Sequence, residues 1–379
     1  MRLGISAILM QTLAAAALGQ SAPSFLPYQL YPVSSQTEAV AIGDVNGDGR
    51  NDVLMTTTYA GAPQDQYRLF VFLQTANGKL ANPVTYPHLD GSSIAVGDVT
   101  GDGRNDVVVA SGNSIRVFRQ TVNGTLQATK DRLVNHSSLL VGIADFNADK
   151  RLDVVSIPWG SNSDDVDLFL QRRNGTLGPD HVYELRHSGY DDLSIGDVTG
   201  DGRADLVVTS GQGSLRQNIG VLPQSTTGTF DSPRFYDTGS ESLNRANAIG
   251  DLDGDGRLDI VVGTEPWHGS SFLGLFKMKA GGFQMSRIEG VIVVGALEIG
   301  DLNGDHRNDI VVLHDHSYRV GYLLQGRNGR FRPEVNLELP YGNYPNPHGL
   351  AIGDVNSDGL IDIVIANDNE GLLVLRQRR

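Results

Sequence analysis

The stretch Gly43-Asp44-Val45-Asn46-Gly47-Asp48-Gly49-Arg50-Asn51-Asp52 decides the reading of this chain, because versions of it begin again at Asp98, Asp145, Asp197, Asp251, Asp301 and Asp354. The copies recur about every fifty residues, which is the signature of a repeat architecture. A chain of 379 residues would otherwise suggest two or three domains. Seven units strung over it point instead to one closed object.

Within each copy, oxygen-bearing groups occupy the first, third, fifth, seventh and ninth positions, the alternation a loop needs to fold around a hard cation. The first loop offers Asp44, Asn46, Asp48, the carbonyl of Arg50 and Asp52; the second offers Asp98, Thr100, Asp102, the carbonyl of Arg104 and Asp106. The third has Asp145, Asn147, Asp149, Arg151 and Asp153, and the fourth Asp197, Thr199, Asp201, Arg203 and Asp205. The fifth has Asp251, Asp253, Asp255, Arg257 and Asp259, the sixth Asp301, Asn303, Asp305, Arg307 and Asp309, and the seventh Asp354, Asn356, Asp358, Leu360 and Asp362. Glycines at positions four and six let the chain turn tightly. An all-oxygen set favours calcium over zinc or copper, with magnesium as the alternative that demands stricter geometry. One such loop is unremarkable as a solvated turn; seven in register are not. The fifth, with four carboxylates, is expected to bind most strongly. The third, where Ala148 and Lys150 replace both glycines, is expected to be weakest or empty, and His306 takes position six of the sixth.

The flanking pattern is strand after strand. Before each loop stands a large β-branched residue (Ile42, Val96, Ile143, Ile195, Ile249, Ile299, Ile352), usually preceded by a small one (Ala41, Ala95, Gly142, Ser194, Ala248, Ala351). That suits the innermost strand of a propeller blade, where sheets converge on an axis. Glu298 breaks the rule, and its partner is open at this level. After each loop comes an unbroken apolar run such as Val107-Val108-Val109 or Ile363-Val364-Ile365, which belongs to a strand buried on both faces. Third strands follow, as in Ser114 to Gln120, and end at Asn77-Gly78, Asn123-Gly124, Asn174-Gly175, Thr227-Gly228, Gly281-Gly282 and Asn328-Gly329, which tolerate the positive φ of a hairpin turn. Two of these also read as glycosylation acceptors, but turn chemistry explains them better. The seventh unit ends after its third strand, Leu372 to Arg376, while Ser24 to Tyr31 reads like the fourth strands elsewhere. The fold expected is therefore all-β: a seven-bladed propeller whose last blade is closed by the N-terminal strand.

This pattern resembles the FG-GAP repeat, also called VCBS-like, of integrin α-subunit propellers and many secreted bacterial proteins. The resemblance runs from about Ser24 to Arg379. It implies a seven-bladed propeller with calcium between first and second strands. Family members include lectins, adhesion proteins and some polysaccharide-active enzymes, so the motif specifies fold much better than activity.

Composition agrees with a metal-loaded propeller. The formal charge is −14, with half of the 44 Asp and Glu residues in the loops, so bound divalent ions would offset the charge. The acidity disfavours nucleic acid and anionic lipid as partners. Cysteine is absent, excluding disulfides and lipid attachment to Cys. Met1 and Arg2 precede an apolar run from Leu3 to Leu18 and the small residues Ala17 and Gly19, as in a signal peptide over residues 1–19, leaving the propeller at 20–379. The alternative, an uncleaved anchor, is short of the roughly 20 residues a span needs. A secreted or periplasmic protein is expected, with no membrane insertion after cleavage.

Ligand-binding residues are expected on the face away from the loops. Tyr59, Trp159, Trp267, His268, His314, His316 and Tyr344 fall in its variable connections, where exposed aromatics beside polar groups suit a sugar face or a protein loop. Covering strand ends is the plainer role for each. His314 and His316 also form the start of a transition-metal site, but no third ligand accompanies them. The sequence holds no nucleophile elbow, phosphate loop or His-Glu-x-x-His helix. The function expected is a non-catalytic binding or adhesion module for a glycan or extracellular protein; the alternative is a carbohydrate-active enzyme, a polysaccharide lyase or hydrolase, with its site on that same face.

Overall fold

The computed structural model describes residues 22–378 except 62, 89–90, 131, 135–137, 159–164, 186–188, 211–218, 240–241, 267–269, 281 and 343–345. The expected leader at residues 1–19 lies outside them. All described elements are strands, and they form seven antiparallel blade sheets that follow one another along the chain, besides one two-stranded sheet that joins the two ends.

Blade 1 runs Ser35–Gly43, Asp52–Gly61, Arg68–Phe72 and Val84–Pro87 from the axis outward. Blades 3 to 6 repeat this plan from inner strands Ser138–Ala144, Tyr190–Gly196, Ser242–Gly250 and Val294–Gly300. In blade 2, whose inner strand is Ile94–Gly97, the outer strand is split into Leu126–Ala128 and Arg132–Leu133. Blade 7 has Leu350–Gly353, Asp362–Asn367 and Gly371–Leu375 from the C-terminal end, and its fourth strand is Gln29–Pro32 from the N-terminal end. A second tie, Ser24–Phe25 with Gln377–Arg378, extends the closure. The ring therefore shuts with the strand expected to shut it.

The core explains the unbroken apolar runs. Neighbours along a strand point to opposite faces, and in a propeller both faces meet another blade. Val53 and Met55 pack toward blade 7 with Val364 and Val374, while Leu54 packs toward blade 2 with Val107 and Phe118. Each of the seven junctions between blades has one such cluster, and middle-strand residues such as Val108, Val207 and Val311 are wholly buried. The small residues of the inner strands meet the next blade closely: a Cβ added at Gly142 would lie 2.4 Å from Ile195 Cδ1. Glu298, in place of a small residue in blade 6, borders a cavity on the axis.

Every inner strand runs toward the acidic loops, so all seven loops share one face. The hairpins between third and fourth strands come back to the same face, and the remaining connections lie on the other.

Candidate functional site

Each loop is wound around its first carboxylate. Asp44 Oδ1 accepts the N–H of Gly47 at 2.6 Å, and Oδ2 accepts that of Gly49 at 2.8 Å. Those glycines stand at φ 79 and 80, where a side chain would strain the backbone. Asp98, Asp197 and Asp251 take the same two bonds in their own loops. Where glycine is missing, the backbone keeps the shape regardless: Ala148, Lys150, His306 and Ser357 adopt φ of 59, 67, 63 and 62. The third loop thus folds as the others do, under strain at two residues rather than by abandoning the turn. Ser357, at position four of the seventh loop, is a departure from glycine that the sequence reading passed over.

The ninth position anchors loop to blade. Asp52 is fully buried; its Oδ1 accepts the N–H of Gln74 at 2.8 Å and its Oδ2 that of Val45 at 3.1 Å. In the other six blades the corresponding third-strand donors are Gln120, Gln171, Gln224, Met278, Gln325 and Gln377. Burial, reinforced by the other loop carboxylates, raises Asp52, Asp153 and Asp362 to about 6 and Asp309 to about 7.

The loops also join neighbouring blades. Asn51, Asn105 and Asn308, at position eight, donate to the backbone carbonyls of Asp354, Asp44 and Asp251 in the preceding blade's loop at 3.1 to 3.2 Å. Gln171 Nε2 reaches Asp98 O at 2.9 Å, and Ser357 Oγ donates to Gln74 Oε1 at 2.9 Å. The hairpin glycines press on the same loops: a Cβ at Gly78 or Gly124 would lie 2.6 Å from the carbonyl of Asn356 or Asn46. The glutamines at the ends of the third strands were not singled out from sequence, although the phased repetition of Gln74, Gln120, Gln171, Gln224 and Gln325 four residues before each hairpin glycine carries the signal.

The donor set fits a hard cation. Asp251, Asp253 and Asp259 bring carboxylate oxygens within 4.8 Å of one another. Asp253 Oδ1 and Asn303 Oδ1, both at position three, are buried without a hydrogen-bond partner, which is unfavourable unless positive charge meets them. Side chains compete for the same oxygens, however. Arg50, Arg104, Arg151, Arg203 and Arg307, expected to supply only a carbonyl, pair through Nη2 with Asp48, Asp102, Asp149, Asp201 and Asp305, and Arg257 pairs with Asp255 at 2.7 Å. Leu360 has no such group. In the fifth loop Lys279 Nζ stands 2.5 Å from Asp253 and 2.8 Å from Asp255, with Lys277 at 3.8 Å from Asp253. Hydrogen bonds from Lys279 and Arg257 hold Asp255 far below the usual carboxylate range. The extra charge of that loop is thus matched by lysines from its own blade, which offsets the advantage expected from counting carboxylates.

The residues expected to bind a ligand are only partly placed. Trp159, Trp267, His268 and Tyr344 lie outside the described residues, as does the side chain of Tyr59. His314 is buried, its Nε2 2.5 Å from Glu334 Oε1, whereas His316 is exposed in the adjoining turn. The two are not brought to one metal. A cleft of 200 Å3 that the sequence did not indicate opens between blades 2 and 3, lined by Thr100, Thr129, Lys130, Arg132 and Thr176 around Val99, Val117 and Leu177.

Known proteins share the fold or the repeats of this chain. Over 265 residues the chain is 24% identical to a T-cell immunomodulatory protein homolog of Plasmodium falciparum (isolate 3D7), a match covering 62% of this chain and 34% of the relative; the chain spans about a third of that relative's length. Among solved structures, a lectin of Agrocybe aegerita that recognises non-reducing terminal N-acetylglucosamine superposes with TM-score 0.55 at 17% identity, covering 82% of each chain. BBS1N, solved in complex with ARL6DN, superposes with TM-score 0.60 at 13% identity over 95% of this chain and 98% of its own. The FG-GAP-like repeat model matches residues 44–109, 98–156, 145–208, 197–262 and 301–365, which is most of the sequence, and the chain belongs to the FG-GAP-like repeat family.

Proposed function

We propose that this protein is a calcium-clasped, secreted or periplasmic binding module whose ligand is a glycan. The observation that carries the reading is the cleft between blades 2 and 3, where hydroxyl and cationic side chains border an apolar floor. A sugar ring presents that same pairing, polar edges and an apolar face. The lectin likeness supports the choice of ligand class, and the orphaned oxygens of Asp253 and Asn303 support calcium. Gln171 Nε2 of blade 3 bonds the Asp98 carbonyl in the loop of blade 2 at 2.9 Å, which ties together the two blades that border the cleft. Rigid, preformed sites lose less on binding.

Glycan-array binding, followed by calorimetry on Lys130→Ala and Thr176→Ala, tests this directly. Saturable binding to a defined glycan, weakened at least tenfold in both variants, is expected. Polysaccharide depolymerisation without saturable binding would turn the assignment to a carbohydrate-active enzyme, and capture of an extracellular protein with an empty array would turn it to adhesion through protein.

A further inference from the structure

The axial cavity has a volume of 380 Å3, within the range of small-molecule sites, and isoleucines such as Ile195, Ile249 and Ile299 line it beside polar groups that include Asp192, Ser194 and Glu298. Asp192 and Glu298 are its carboxyl groups, and no Lys or Arg lines it among the described residues. Asp192 is already engaged: its Oδ2 accepts the N–H of Asn247 at 2.6 Å, its Oδ1 accepts that of Leu193 at 2.8 Å, and His348 Nε2 stands 3.3 Å from Oδ1. Glu298 accepts the backbone N–H of Ile299, feels the charge of Asp192, and has no cationic side chain beside it among the described residues. Asn247 supplies a second, independent sign. It is 3% exposed and its Nδ2 donates to Thr209 Oγ1 at 3.1 Å, which fixes the amide and leaves Oδ1 buried with no partner.

We propose that this cavity binds a small organic cation, an alkylammonium whose charged head meets Glu298 and Asn247 Oδ1 and whose carbon chain lies along the isoleucines. An anion would meet two acids, and the lining offers it no Lys or Arg among the described residues. A bare metal ion fits worse than an ammonium, because among the described residues only Asp251, Asp253 and Asp259 bring three such ligand atoms within 4.8 Å, and the axial groups do not. An extended cation bridges groups set further apart and uses the apolar wall as well. Burial, with the Asp192 charge, pushes Glu298 up to about 8, while burial pushes His348 down to about 4, so no internal cation serves the acid.

Glu298→Ala is a safe variant, because the other six blades carry Ala, Gly or Ser at this position. Calorimetry at pH 8 in calcium-containing buffer would compare pentylamine with pentanol and pentanoate, on the full chain and on Glu298→Ala and Glu298→Gln. Saturable pentylamine binding is expected, weakened at least tenfold in both variants at an unchanged or raised melting temperature, with neither control binding. No saturable binding up to millimolar pentylamine, or equal binding by Glu298→Ala, would overturn the proposal; the second result would place the amine in the acidic loops.

Discussion

On the loop face, Asp52 and its six counterparts repeat the same backbone bonds blade after blade, whereas the axial cavity is bounded by Asp192, Glu298 and His348, each of which occurs in one blade only. The carboxylates of the loops are surrounded by backbone N–H groups and arginines; Glu298 is buried beside Asp192 in a cavity that isoleucines and a few polar side chains share. Repetition on one face and exception on the axis teach that the same residue chemistry serves cohesion in the first case and recognition in the second. Buried charge left uncompensated is destabilising unless something binds it.

The largest way to break this contrast is to strip the loops of metal. An excess of chelator is expected to lower the melting temperature, each site saturated at a hundred times its Kd having contributed about 2.7 kcal/mol; an unchanged melting curve would remove calcium from the account. Next is Asp309→Ala, which orphans the buried N–H groups of Gln325 and Leu302. Chemical denaturation should show a loss of about 3 kcal/mol or more.

The axial side is tested through pH. Glu298 has an ordinary value of 4.5 and stands at about 8 in the fold, so between these limits the unfolded chain has lost a proton that the folded chain keeps. Its stabilising contribution is therefore complete below 4.5 and is lost as pH rises through 8. Glu298→Gln is expected to be more stable than the parent at pH 8, the difference growing by at most about 1.4 kcal/mol per pH unit. Asp192, pushed up to about 7, keeps a dependence of the same sign in the variant. Equal stability profiles would place Glu298 in contact with water.

Smaller effects sharpen the comparison among the loops. Lys150→Gly relieves a left-handed backbone at φ 67 and should stabilise the third loop by about 1 kcal/mol. Asn51→Ala removes one bond from blade 1 to the Asp354 carbonyl and should lower stability by about 1 kcal/mol in denaturant titration.

The sequence by itself determined the ring. Aspartates, loop glycines, apolar runs and hairpin turns all act within a few residues of one another, so their period survives in a linear reading. The missing fourth strand of blade 7 was legible for the same reason, since Phe25-Leu26-Pro27 matches the pattern of the other outer segments. Only the tertiary structure decided what joins blades to one another. Asn51 meets Asp354 across the closure of the ring, Lys279 enters the fifth loop from a neighbouring strand, and His314 turns inward to Glu334. Those partners are set by the curvature of the whole ring, which no local pattern encodes. The axial site lies at the far end of that scale: Asp192, Asn247, Glu298 and His348 come from four blades, and only closure places them around one cavity.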